Sequence, residues 1–114
     1  GAKPQVKIHR LKVEPAVISL GEGITLSLEL QSTADQDQRL VVDYAIEYVK
    51  ASGATSAKVF KLKGLALPAH ARQTLSRAQQ IRDMTTRKHY AGSHAVHIMV
   101  NGERLASTAF EIRD

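Results

Sequence analysis

The chain of 114 residues contains no cysteine and no tryptophan. Without cysteine there is neither a disulfide framework nor thiolate chemistry. The absence also favours a reducing compartment, so a cytoplasmic location is expected. Aromatic residues are scarce, with two Phe and three Tyr. Most of these are needed inside, which removes a stacking platform for single-stranded nucleic acid. No apolar run approaches the roughly 20 residues that cross a membrane as a helix, and the N-terminus has no signal-peptide apolar segment. A membrane partner is not expected. The nucleophile elbow, phosphate loop, paired zinc spacing and EF-hand loop are all missing. The carboxylates Glu29, Asp43, Glu47 and Glu111 fall on outward positions, and no pair is placed for acid–base work. No catalytic residue, metal or cofactor is expected. The first residue is Gly1 rather than Met. Residues 1–5 are therefore expected to be a tag remnant and linker, and residues 6–114 a single domain.

What the sequence does have is alternation. Apolar residues make up 43% of the chain, too many for a disordered composition. A chain of this length buries roughly 65% of its unfolded surface, enough for a core without staples. The period is two, the signature of half-buried strands. In "ITLSLELQS" (24–32), Ile24, Leu26, Leu28 and Leu30 share one face. In "RLVVDYAIEYVK" (39–50), Val42, Tyr44, Ile46 and Tyr48 oppose Val41, Asp43, Ala45, Glu47 and Val49. "VKIHRLKV" (6–13) turns Val6, Ile8, Leu11 and Val13 inward, and "KVFKLKGLAL" (58–67) turns Phe60 and Leu62 inward, then Leu65 and Leu67. "SHAVHIMVN" (93–101) gathers His94, Val96, Ile98 and Val100, and "RLASTAFEI" (104–112) ends on Phe110 and Ile112.

Turn-forming stretches separate these runs. Asn101-Gly102 is the strongest signal, because a two-residue type I′ hairpin turn requires positive φ twice. "PAHARQTLSRAQQIRDM" (68–84) admits two readings. Leu75, Ala78 and Ile81 fit one face of a helix, whereas Leu67-Pro68 and the polar run after it fit a strand–turn–strand corner, which is favoured. About seven short antiparallel strands in about 100 residues predict an all-β, immunoglobulin- or fibronectin-like sandwich. The cysteine pair and core tryptophan of antibody domains are absent. In "YAGSHAV" (90–96), Tyr90 and Gly92 precede His94, which stands where a tyrosine corner belongs. His94 is expected to be buried with its ring bonded to backbone.

The histidines are His9, His70, His89, His94 and His97. His94 and His97 are three apart on a strand and face opposite ways, so that strand alone cannot present both to one metal. Charge is more informative. The net charge is +5, from 16 Lys and Arg against 11 Asp and Glu. From Lys58 to His94 eight basic residues meet only Asp83, giving that segment +7. From Glu22 to Glu47 six acids meet only Arg39. If these segments separate in space, the domain has a basic face. Lys58, Lys61, Lys63, Arg87, Lys88 and His89 are the candidate phosphate-binding residues. One reading is contact with a duplex phosphate backbone. The other is a solvated face whose lysines guard a sheet edge, or a surface for an acidic protein partner. "MTTRKHY" (84–90) is expected to be an exposed crossover into the next strand.

Two stretches also resemble a known family. "LVVDYAIEYVKASGATSAKVFKLK" (40–63) and "MTTRKHYAGSHAVHIMVNGERL" (84–105) are similar to the C-terminal accessory domain of bacterial DNA alkylation repair proteins, the HEAT-repeat alkylpurine DNA glycosylases. The resemblance runs from about Val6 to Ile112 and departs at "PAHARQT", where the family tends to a Pro-Gly-Glu type turn. It implies a parent protein that acts on alkylated duplex DNA, with lesion recognition and excision in a helical solenoid. It also implies that the HEAT-repeat domain of the same polypeptide is a partner. No catalytic residue carries over, because no position here matches the solenoid.

Overall fold

The computed structural model describes residues 3–50, 52–81 and 91–113. Eight strands form two sheets. They are β1 (Val6–Glu14), β2 (Val17–Ser19), β3 (Gly23–Ser32), β4 (Gln38–Val49), β5 (Thr55–Leu67), β6 (Arg72–Gln80), β7 (Gly92–Val100) and β8 (Glu103–Arg113). One sheet has the order β1-β3-β6 and the other β2-β8-β7-β4-β5. Every pairing is antiparallel except β2 with β8. The molecule measures 47 × 24 × 18 Å.

The alternation places the core where expected. Ile24, Leu26, Leu28 and Leu30 face Val42, Tyr44, Ile46, Val96, Ile98, Val100 and Phe110 across the sandwich, and all are buried. Each such aliphatic side chain contributes about 1.5–3 kcal/mol relative to exposure. The odd face of β4 looks outward, with Val41 46% exposed, so the register is the one that the pattern predicts. Ala45 departs from it, since it faces outward and is still buried.

Three details differ from expectation or decide between alternatives. The stretch 72–80 is a strand, β6, not a helix, and nine residues of it pair with β3. An eighth strand, β2, raises the expected count of seven. The chain leaves β1 at Glu14, and after Pro15 Val17–Ser19 joins the other sheet beside Glu111–Arg113. Proline has no N–H for the ladder and so ends the first pairing. Finally, β1 contains a bulge, because His9 pairs with Glu29 and Lys12 with Ser27, leaving Arg10 and Leu11 opposite Leu28.

Turns fix the ends. Asn101 and Gly102 both have positive φ, 50° and 82°, as the hairpin signal predicts. Asn101 Oδ1 also accepts the Val41 N–H at 2.8 Å, tying the turn to β4. Polar bonds from β4 and β5 to β6 join the two sheets. Tyr44 Oη donates to Gln79 Oε1 at 2.5 Å, and Arg77 Nη2 donates to the Leu62 carbonyl at 2.9 Å.

The two faces predict different mutational costs. Leu30→Ala is expected to destabilise the domain by about 2–5 kcal/mol. Val59→Thr, on the outer face and 57% exposed, is expected to stay within about 0.5 kcal/mol. Urea denaturation of both variants checks this, and equal costs would refute the register.

Candidate nucleic-acid interface

Among the described residues, strand β5 has β4 on one side and no strand on the other. Its free edge carries Lys58, Lys61 and Lys63, all exposed. Register separates them. Lys58 pairs with buried Ile46, so it lies on the inward side of the strand, and its ammonium rests 5.3 Å from the Phe60 ring centroid. Phe60 in turn stacks on Tyr44 at 5.1 Å. Lys61 pairs with Asp43 on the outward side. Lys63 follows Leu62, the extra residue at a bulge between Val42 and Asp43. The three lysines thus share an edge, not a face. Among the described residues none of them is in a salt bridge.

Arg87, Lys88, His89 and Tyr90 lie outside the described residues, and so does the expected crossover 84–90. The expected acidic and basic halves do not separate as blocks. Strand pairing sets acidic β4 against basic β5, with Asp43 opposite Lys61. It also sets Glu29 against β6, where Arg72 Nη1 donates to it at 2.8 Å. Asp35 takes His70 at 2.8 Å. A basic row that charge blocks did not reveal lies on the outer side of β1, where Lys7 and His9 lead to Arg10 and Lys12. Its signal was in "VKIHRLKV", since inward positions 6, 8, 11 and 13 change parity after Ile8, which requires an extra residue.

The structural histidine is placed as predicted. His94 is fully buried, opposite Phe110, with the rings stacked at 5.5 Å. Its Nδ1 accepts the Val49 backbone N–H at 3.2 Å, so Nδ1 carries no proton. Gly92, at φ 131°, starts the strand in a conformation that few other residues adopt.

His97 faces the other way and is also buried, at 8% exposure, on the outer face of the larger sheet. Its Nε2 is 3.0 Å from Glu47 Oε1 and its Nδ1 2.6 Å from Ser107 Oγ. An ionised carboxylate only accepts, so Nε2–H donates to Glu47, while Nδ1 shares a hydrogen bond with the Ser107 hydroxyl. A serine nucleophile would also need an oxyanion site and a concave pocket. Three grooves, lined by Leu40 and Val41, by Arg10 and Ser27, and by Pro15 and Gly23, include neither Ser107 nor His97. The network ties β4, β7 and β8 together. Among the described residues no three His, Asp or Glu side chains are placed to hold a metal.

The core supplies two predictions. His94→Ala is expected to cost about 1–3 kcal/mol, from lost packing and an orphaned Val49 N–H. His94→Phe keeps the stacking and should recover part of that loss, as read by thermal denaturation. Burial, aided by Tyr44, pushes the Tyr48 hydroxyl from 10.0 up to about 12. The folded value lies above the unfolded one, so its contribution to stability is complete below pH 10 and is lost as pH rises toward 12. Tyr48→Phe should flatten the fall in stability over that window, and tyrosinate absorbance should show a late-titrating phenol that the variant lacks.

Known proteins resemble this arrangement to different depths. Residues 7–114 match the family model described as "Uncharacterised protein YhaZ, C-terminal Ig-like domain". The uncharacterized protein YhaZ of Bacillus subtilis (strain 168) is 36% identical over 107 residues, which cover 94% of this chain and 29% of that protein. The Pseudomonas fluorescens alkylpurine DNA glycosylase AlkC, solved bound to DNA containing an abasic site analog, is 63% identical. That match has a TM-score of 0.96 and covers 100% of this chain and 32% of AlkC. A β-glucosidase from Listeria innocua in complex with isofagomine shares the fold alone, at 18% identity and a TM-score of 0.72 over 94% of this chain and 16% of the enzyme. The chain spans about a third of the length of AlkC and of YhaZ. With its sandwich and nearly its whole length matched, the chain belongs to the family of YhaZ C-terminal Ig-like domains.

Proposed function

We propose that the chain is a non-catalytic accessory domain of a DNA alkylation repair protein, and that it adds non-specific contacts to the phosphate backbone of duplex DNA. The observation that carries this reading is the match at 63% identity, over the whole chain, to part of a DNA-bound alkylpurine DNA glycosylase. Charge supports it. The chain is +5, and the β5 lysines stand on an edge with no carboxylate in a salt bridge to them among the described residues. Lys58, Lys61 and Lys63 would contact phosphates as point charges, and Arg87, Lys88 and His89 would extend the contact. An edge presents these groups to a long polyanion without a pocket. Base excision would belong to the remainder of the parent polypeptide, whose HEAT-repeat domain would be the partner in cis, in the cytoplasm.

A second reading has its own observation. The outer face of the larger sheet exposes Val41 and Val59 beside small residues and the Glu47–His97–Ser107 network. A protein-docking module would use that face, and would not depend on β5 charge.

Titrating this chain with duplexes of unrelated sequence separates the two. Phosphate contact should give an affinity of about 10⁻⁴ to 10⁻⁶ M at physiological salt, falling steeply as salt rises. Lys61→Ala with Lys63→Ala should weaken all duplexes equally and flatten the salt slope by about two units, and Arg87→Ala with Lys88→Ala should do the same. No binding at low salt, or unchanged slopes in both double variants, would overturn the phosphate reading.

A further inference from the structure

Among the described residues, three other than glycine have positive φ, namely Arg10 at 55°, His70 at 56° and Asn101 at 50°. Asn101 sits in its hairpin turn, and asparagine tolerates that region. His70 sits in the turn between β5 and β6, where its ring meets Asp35. Arg10 alone lies inside a strand, at the first residue of the β1 bulge. Glycine is the residue that a left-handed bulge position normally takes, since a side chain there is strained. The arginine is not explained by packing, because it is exposed. Nor is it explained by pairing, because among the described residues no ion pair or side-chain hydrogen bond engages its guanidinium.

The surroundings indicate what an arginine does there. Arg10 borders a groove of ≈ 550 Å³ with Lys12, Ser27, Glu29 and Thr74. Lys12 pairs with Ser27 and Glu29 with Thr74 in the ladders, so these four side chains stand together on the outer face of the smaller sheet. Glu29 is the one carboxylate there, and Arg72 already neutralises it at 2.8 Å. Among the described residues Lys12 is held only by a solvent-exposed pair with Glu14 at 3.4 Å, which a stronger anion displaces at little cost. Beside Leu11 and Leu28, the groove therefore brings together a guanidinium fork, an ammonium and two hydroxyls, with its acid already paired. A bulge also leaves one residue out of the ladder, adding backbone donors. This donor set fits a tetrahedral oxyanion.

We propose that Arg10, with Lys12, Ser27 and Thr74, forms a phosphate-binding site on the β1–β3–β6 sheet, separate from the β5 edge. The phosphate belongs either to a nucleic-acid backbone, in which case the site rests on the reading above, or to a small phosphorylated molecule. Strain at Arg10 is then retained for binding.

Arg10→Gly tests this cleanly, because it removes the guanidinium and the strain together. Arg10→Asn removes the charge while keeping a residue suited to positive φ. Both variants should melt within about 2 °C of the parent or above it, since relief of strain offsets the flexibility that glycine adds to the unfolded chain. Inorganic phosphate, followed by amide chemical shifts, should perturb Lys12, Ser27 and Thr74 in the parent and not in either variant. With duplex DNA the salt slope should drop by about 0.9 in each variant. Phosphate shifts at this groove without duplex binding would keep the site and remove the DNA reading. Duplex binding with an unchanged slope and no phosphate shifts would keep the DNA reading and overturn the site. Variants that unfold would overturn it too, by making Arg10 structural.

Discussion

Everything in this domain depends on keeping a two-residue period in register across two facing sheets. The rows Ile24–Leu30 and Val42–Ile46 are buried almost completely, and a slip of one residue would exchange them for Ser27, Glu29, Val41 and Asp43. Hydrophobic burial is non-directional, so it cannot set register alone. The directional contacts do that. Asn101 locks the β7–β8 turn onto Val41, while Tyr44 and Arg77 bond across the sandwich between β4, β5 and β6. His94 occupies the core with one ring nitrogen committed to the Val49 N–H, a polar anchor in a row that otherwise consists of Val96, Ile98 and Val100. Buried polar groups of this kind are costly if unmatched and specific when matched.

Because the interior takes every second residue, charge is confined to outer faces and edges, and strand pairing then decides which charges meet. The sequence carries acids and bases in separate blocks, yet the fold interleaves them. Acidic β4 pairs with β5, and Glu29 on β3 meets Arg72 on β6. Among the described residues, the cations without a salt bridge include Lys58, Lys61 and Lys63 on the β5 edge and Arg10 on the β1 edge. Both edges also need protection from pairing with other chains, and lysines and bulges provide it. Edge protection accounts for a lysine at either place. It does not account for an arginine in a conformation that glycine would take more easily.

How much of this was legible in the sequence varies with the range of the interactions involved. Alternation in 24–32 and 39–50 gave the core residue by residue, and Asn101-Gly102 gave its turn, because both signals are local. The burial of His94 was also legible, from its place in an inward row. The strand Val17–Ser19 was not, since three residues cannot show a period. The parity change in "VKIHRLKV" was present but reads as a bulge only once the partner register is known. The candidate site was legible in residue type more than in arrangement. Composition identifies Lys58, Lys61 and Lys63 as cations, but only pairing shows that Lys58 and Lys61 project to opposite sides of β5.

His97 illustrates the same limit from the other direction. Position parity assigns it outward, and outward it is, yet it is buried. Burial on an outer face comes from neighbours on two other strands, Glu47 on β4 and Ser107 and Arg104 on β8, which lie 50, 10 and 7 positions away in sequence. Arg104 stands 3.9 Å from Glu47, so the carboxylate is shared between a ring and a guanidinium. Such a network stiffens the face of the larger sheet by linking β4, β7 and β8 through side chains as well as backbone. That face carries Asp43 opposite Lys61, and Glu47 between His97 and Arg104. On the proposed reading a polyanion would meet the edges, where donors project past the last strand, and a protein surface would meet the face, where Val41 and Val59 remain exposed. Lys61 stands on that same outward side, so the two uses would share part of one surface.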